Sequence, residues 1–147
     1  MIEACSDAAQ GSQIMAATPT APPEAATLTV TFFYYRDLAQ AMAFYETVMG
    51  FTLAIDQGWS KIYKAAGVAH IGLVDESRGS HRAAETKPVQ FAIRVPDLDA
   101  WHTWISTQNV DALTAPRTND PLGIRAFVFN DPEGYQIEVQ SALRDGA

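Results

Sequence analysis

Cysteine is almost missing from this chain. Cys5 is the only one in 147 residues, which excludes an internal disulfide and any thiolate cage around a metal. Basic charge is scarce as well. Ten Lys and Arg stand against seventeen Asp and Glu, a net charge of -7, so the positive footprint that phosphate backbones and anionic membrane surfaces demand is not there. No apolar run is long enough to span a bilayer. Signature loops are lacking too: no Gly-rich phosphate loop leads into a helix, no Gly-x-Ser-x-Gly elbow occurs, and no His-x-x-x-His pair exists. Cys5 lies in the amino-terminal stretch, so thiol nucleophile chemistry has no support. These absences leave a small-molecule ligand as the expected partner, with no nucleic acid and no membrane. The cysteine usage fits a reducing, cytoplasmic compartment.

What the chain does have is a stretch that occurs twice. VTFFYYRDL at 30–38 leads into Ala41, Met42, Phe44 and Tyr45; sixty positions later QFAIRVPDL at 90–98 leads into Trp101, Trp104 and Ile105. Each copy is an extended run, an Asp-Leu pair and then a helix with large apolar residues at matching offsets. A fixed-period repeat dictates architecture before any local detail does. Two copies are too few for a solenoid, so the expectation is a duplicated module packed on its twin.

In the first copy, 28–35 is β-branched and aromatic, hence a strand. Alternation sends Val30, Phe32 and Tyr34 to one face and Thr31, Phe33 and Tyr35 to the other. Asp37 is a good N-cap, an apolar stripe runs from Leu38 to Met49, and Gly50 suits the helix end. Strands are expected at 51–56, 59–64 and 69–74. The second copy predicts a strand at 89–95, a helix capped by Asp97 running to about Gln108, a short strand at 111–115, a loop at 116–123, and a hairpin of 125–130 with 135–140 around Asp131-Pro132-Glu133-Gly134. The order is βαβββ twice. Residues 1–27 read as a disordered tail, although Cys5 before a Pro/Ala linker also allows an exported lipoprotein start whose signal has been trimmed. The domain then covers 28–141, as modules 28–75 and 88–141 joined by a polar connector, 76–87. The fold class is α+β: two modules forming a cupped, mainly antiparallel sheet with the helices on its convex face. The helix stripes need Phe33, Tyr35, Phe91, Ile93 and Val95 to bury against, so the opposite faces line the hollow, a default small-molecule site between the modules.

The duplicated βαβββ order, DLAQAMAFY at 37–45 and DPEGYQIE at 131–138 together resemble the vicinal oxygen chelate superfamily of glyoxalases, extradiol dioxygenases, fosfomycin-resistance enzymes and bleomycin-binding proteins. The resemblance implies a divalent metal held near the start of each module's first strand and in its last strand by His, Gln or Glu. The corresponding positions here are Val30, Gly72, Gln90 and Glu138. Val30 and Gly72 have no donor atom, and one amide oxygen with one carboxylate is a thin set for a hard cation. His70 shares a strand face with Gly72, so a site of His70, Gln90 and Glu138 is the alternative. No cofactor is the favoured reading.

Other residues carry candidate chemistry. Glu138, if desolvated in an apolar cleft, would have a raised pKa suited to a general base, with Tyr34 beside it; a hydrogen-bonded structural carboxylate is the bland alternative. Trp59, Lys61 and Tyr63 alternate and would form an aromatic wall with one cation if their face is concave, extended by Phe129; otherwise they are surface and edge residues. His81 and Arg82, on the connector with Arg78, could clamp an anion or simply be a solvated basic loop. His102 reads as structural. The expected function is a metal-free protein binding a small planar or anionic molecule, like the bleomycin-resistance type, and as a homodimer, as the resemblance implies. The alternative is a metal-dependent glyoxalase-type lyase or isomerase.

Overall fold

The computed structural model describes residues 20–22 and 24–143; most of the expected tail therefore lies outside the described residues. Module one runs β1 (Thr29–Tyr35), α1 (Leu38–Thr47), β2 (Thr52–Asp56), β3 (Ser60–Ala66) and β4 (Ala69–Asp75). Module two runs β5 (Gln90–Arg94), α2 (Leu98–Ser106), β6 (Arg117–Asn119), a 3₁₀ turn (Asp120–Leu122), β7 (Ile124–Asn130) and β8 (Gln136–Ala142). Both helices start as the repeat predicts. The Asp37 carboxylate accepts from the Gln40 amide and Asp97 from the Ala100 amide, each at 2.9 Å, satisfying amides that have no partner within the helix. After α1 the chain reverses at Gly50, whose φ of 69° favours a residue without a Cβ.

The strands form two four-stranded sheets, ordered β1-β4-β3-β2 and β5-β8-β7-β6. In each sheet the first strand pairs parallel with the last, and the other pairings are antiparallel. The register repeats as well: Val30 lies opposite His70 and Phe32 opposite Gly72, as Gln90 lies opposite Gln136 and Ala92 opposite Glu138. One expected element moves. The 111–115 stretch makes only a single bridge, Asp111 to Asn130, and the strand appears at Arg117–Asn119 instead. Ala112 adopts a left-handed conformation, φ 55°, which breaks the extended run, and Pro116 brings no N–H to a ladder.

The helix-side faces of both sheets share one core. Phe33, Tyr35, Tyr63, Ile71 and Leu73 of module one join Phe127, Phe129, Ile137 and Val139 of module two. Phe33 stacks on Tyr135 with centroids 4.2 Å apart and meets Phe91 edge-on at 6.2 Å. Each ring so buried contributes about 1.5–3 kcal/mol. The β7–β8 turn then crosses between modules. The Asp131 side chain is buried and accepts from the hydroxyls of Tyr35 at 2.7 Å and Tyr45 at 3.0 Å. Its other oxygen accepts from the Glu133 and Tyr135 amides. A carboxylate out of water needs such a full set of donors.

Candidate functional site

Because Phe33, Tyr35, Ile137 and Val139 face the helices, strand alternation turns their neighbours the other way. On module two this exposes Gln90, Ala92 and Arg94 of β5 beside Glu138 and Gln140 of β8. With Thr114, Arg117, Asn119 and Val128, the side chains of Gln90, Arg94, Glu138 and Gln140 wall a cavity of about 740 Å³. Its floor is a hydrogen-bonded chain. Arg94 Nη2 donates to Gln140 Oε1 at 3.0 Å, and Gln140 Nε2 donates to Glu138 Oε1 at 3.0 Å. Gln90 is tied separately to Gln136 at 2.7 Å. Glu138 is half-buried, and Arg94 and Arg117 line the same wall.

The matching face of module one is of different chemistry. Val30, Phe32 and Tyr34 of β1 lie beside His70, Gly72 and Val74 of β4. The ring of Phe32 lies so close over Gly72 that a Cβ there would collide with it. A second cavity, about 310 Å³, is lined by Phe32, Tyr34, Gln57, Trp59, Ser60, Val74, Gly79 and Ser80. Tyr34 donates its amide to, and accepts through its carbonyl from, the Tyr135 hydroxyl, and its own hydroxyl pairs with Ser80 Oγ at 3.0 Å.

Several expected site residues are placed elsewhere. The 740 Å³ cavity that holds Glu138 is walled by residues of module two, whereas Tyr34 lines the cavity on module one, so the two are not side by side; the hollow that both modules do wall is a groove between Phe32 and Tyr34 of module one and Val89 and Tyr135 of module two. Phe129 is not a ligand wall: it is fully buried on the helix side, against Phe44 and Phe127. Tyr63 is likewise fully buried, and its hydroxyl donates to Glu46 of α1 at 2.6 Å; burial, then Glu46, push the phenol above its ordinary range. Lys61 shares that face and pairs with Asp56 at 2.6 Å. Their apparent partner Trp59 sits in the turn before β3, where alternation no longer applies, and does line the module-one cavity. Arg82 is tied to its own loop through Nη1, which donates to the carbonyls of Glu76, Gly79 and His81. His81 packs edge-on to Tyr34 at 5.2 Å, with Arg82 and Lys87 around a groove of about 350 Å³ at the edge of β1. His70 Nδ1 contacts the Val68 carbonyl at 3.0 Å. His102 is structural, bonded to the Thr114 carbonyl and edge-on to Phe127.

Two members of these faces were missed in the sequence. Gln140 lies two residues past Glu138 and so shares its face. Period-two counting from Glu138 would have found it. Ser60 has the opposite parity to Trp59, Lys61 and Tyr63, so counting from those residues pointed away from it.

The fold has many solved relatives. The family model for the Glyoxalase/Bleomycin resistance protein/Dioxygenase superfamily matches residues 27–139. The chain belongs to that superfamily. Lactoylglutathione lyase from Agrobacterium tumefaciens is similar in fold at 23% identity, covering 86% of this chain and all 100% of that one, with a TM-score of 0.65. A superfamily member from Sphaerobacter thermophilus DSM 20745 matches at 20% identity, 80% and 98% coverage and TM-score 0.66. TioX from Micromonospora sp. ML1 matches at 18%, 80% and 99%, and 0.65. No curated protein matches the chain in sequence. At these identities the likeness concerns the fold, and this fold hosts several chemistries.

The superfamily's divalent ion makes a direct test of these residues. Val30 offers hydrocarbon, and Gly72 offers a bare backbone already covered by Phe32. Gln90 and Glu138 both belong to module two, and His70 sits on the other sheet. No cluster of three or more His, Cys, Asp or Glu that could hold a metal occurs among the described residues. One amide and one carboxylate fall short of the six or more oxygens that calcium or magnesium takes unless water supplies most of them. By themselves these donors do not complete a calcium or magnesium shell.

Proposed function

We propose that this superfamily member binds a small planar or anionic organic molecule on its concave faces without a resident metal, sequestering it in the manner of the bleomycin-resistance type. The observation that carries the reading is the 740 Å³ cavity of module two. Its size falls within the range of drug-sized pockets, about 300–1,000 Å³, and Arg117 and Glu138 offer both signs of hydrogen-bonding partner. The reading extends to a homodimer, since Leu28, Leu53 and Ile55 leave large apolar side chains more than a third exposed and a second copy would cover them. A cytoplasmic setting is consistent with the single cysteine.

Thermal melting tests it in two steps. Nickel, zinc, manganese or iron is expected to leave the midpoint of metal-stripped protein unchanged. A planar aromatic carboxylate is expected to raise it, and Arg117→Ala to reduce that rise. A metal-induced stabilisation that disappears in Glu138→Ala would instead establish the glyoxalase-type alternative.

A further inference from the structure

We propose that module one carries a subsite of its own, a slot for the flat ring of a one- or two-ring heteroaromatic molecule whose ring heteroatom is read by the hydroxyl of Ser60. The proposal deepens the small-molecule reading above, because it gives the second concave face a ligand class distinct from the polar cavity of module two.

Four observations converge on the slot. Its walls are aromatic: Phe32 and Tyr34 from β1 and Trp59 from the β2–β3 turn, closing with Val74 around about 310 Å³. That volume lies at the small end of the drug-sized range and admits a flat one- or two-ring molecule. Two of those walls remain 44% and 43% exposed, Phe32 and Trp59 respectively, which is unusual for side chains that normally bury most of their surface. Ser60 is 3% exposed and lines the same cavity, yet its Oγ has no hydrogen-bond partner among the described residues. Asp131, the other buried polar side chain among the described residues, has four. A buried hydroxyl left unpaired is the kind of group that needs an explanation, and a ring nitrogen seated in the slot supplies the missing acceptor.

The slot is also held in shape before any ligand arrives. The connector passes so near its rim that a Cβ on Gly79 would meet Val74 at 2.6 Å and Tyr34 at 2.7 Å. Tyr34 is anchored through its backbone by Tyr135 and through its hydroxyl by Ser80. Preformed walls cost less ordering on binding. Aromatic walls with one hydrogen-bonding group suit a π-face carrying a single polar edge, whereas a sugar or an aliphatic acid would strand its hydroxyls or charge against rings.

Amide-resolved NMR titrations of the full chain with quinoline and its carbocyclic isostere naphthalene test the assignment. Quinoline is expected to shift the amides of Ser60, Gly79 and Ser80 and to bind about five- to tenfold tighter than naphthalene. Ser60→Ala is expected to keep the fold and erase that preference. Phe32→Ala and Trp59→Ala, both at exposed side chains, are expected to weaken the two ligands together by about tenfold. A preference that survives Ser60→Ala overturns the proposal. So do shifts confined to Thr114, Arg117 and Glu138, an outcome that leaves the module-two reading standing. Silence from both ligands also overturns it, while the aromatic carboxylate and Arg117→Ala test module two separately.

Discussion

The two concave faces have the same backbone and opposite chemistry. Where module two places Ala92 opposite Glu138, module one places Phe32 opposite Gly72. Gln90 corresponds to Val30, Arg94 to Tyr34, and Gln140 to Val74. One face is therefore amides and ions, and the other rings and hydrocarbon. The large and small partners have traded strands: a bulky Phe32 fits only because Gly72 has no side chain, and Glu138 has room because Ala92 is short. Duplication preserved the register and the caps, which the fold needs, and left the solvent-facing positions free to diverge.

The turns diverge in the same way. Module two's Asp131-Pro132-Glu133-Gly134 turn reaches into module one, whereas the corresponding β3–β4 turn leaves Val68 65% exposed. The largest expected effect tests that difference. Asp131→Ala removes the carboxylate that both buried hydroxyls donate to, leaving Tyr35 and Tyr45 only each other, and a loss of about 3 kcal/mol in chemical unfolding is expected. Val68→Thr, in the other turn, is expected to stay within about 0.5 kcal/mol. Equal losses would erase the distinction between the turns.

Next in size is Gly72→Glu, which makes module one imitate its twin. The new Cβ collides with the Phe32 ring, so a loss of about 2 kcal/mol from overpacking is expected. Adding Phe32→Ala is expected to recover most of it. A neutral single variant would mean the ring is not held over Gly72.

A smaller effect depends on pH. Burial raises the Asp131 carboxyl above its ordinary value, outweighing the Tyr and backbone hydrogen bonds that lower it. The folded protein then holds this proton more tightly than the unfolded chain. Its stabilising contribution is present below the unfolded value and declines as pH rises through the folded one. The deficit of Asp131→Asn relative to the wild type is therefore expected to be larger at about pH 4.5 than at about pH 7, as read by denaturant melts at both. The smallest effect is at Glu138. It is half-buried and bonded to a side-chain amide, so Glu138→Gln is expected to shift stability by less than about 0.5 kcal/mol. A larger loss would give the carboxylate a structural role and bring the two faces closer in kind.

Much of this was legible in the residues. The repeated Asp-Leu pairs placed both helix starts, because an N-cap is a local hydrogen bond. Alternation in β1 and β5 gave the correct split of faces, since the helix stripes needed Phe33 and Tyr35. Trp59, Lys61 and Tyr63 show where such counting stops. Period two tells which residues share a face but not which way that face points, and it lapses in a turn. Lys61 and Tyr63 went with α1, and Trp59 went to the hollow. Phe129 followed the same rule: an aromatic on a strand suits a core as well as a wall. Arg82 looked free because its partners are carbonyls, which no side-chain pattern reveals.

From the residues alone came the duplication, the order of elements, the caps, and the loss of donor atoms at Val30 and Gly72, since each depends on local spacing or on what a side chain is made of. Folding in three dimensions decided the rest. It chose which face looks outward, laid the Phe32 ring across Gly72, left the Ser60 hydroxyl without a partner, and carried Asp131 to tyrosines as far as 96 positions away. Those outcomes depend on how two sheets and two helices share one core, and contacts so distant along the chain have no signature in spacing.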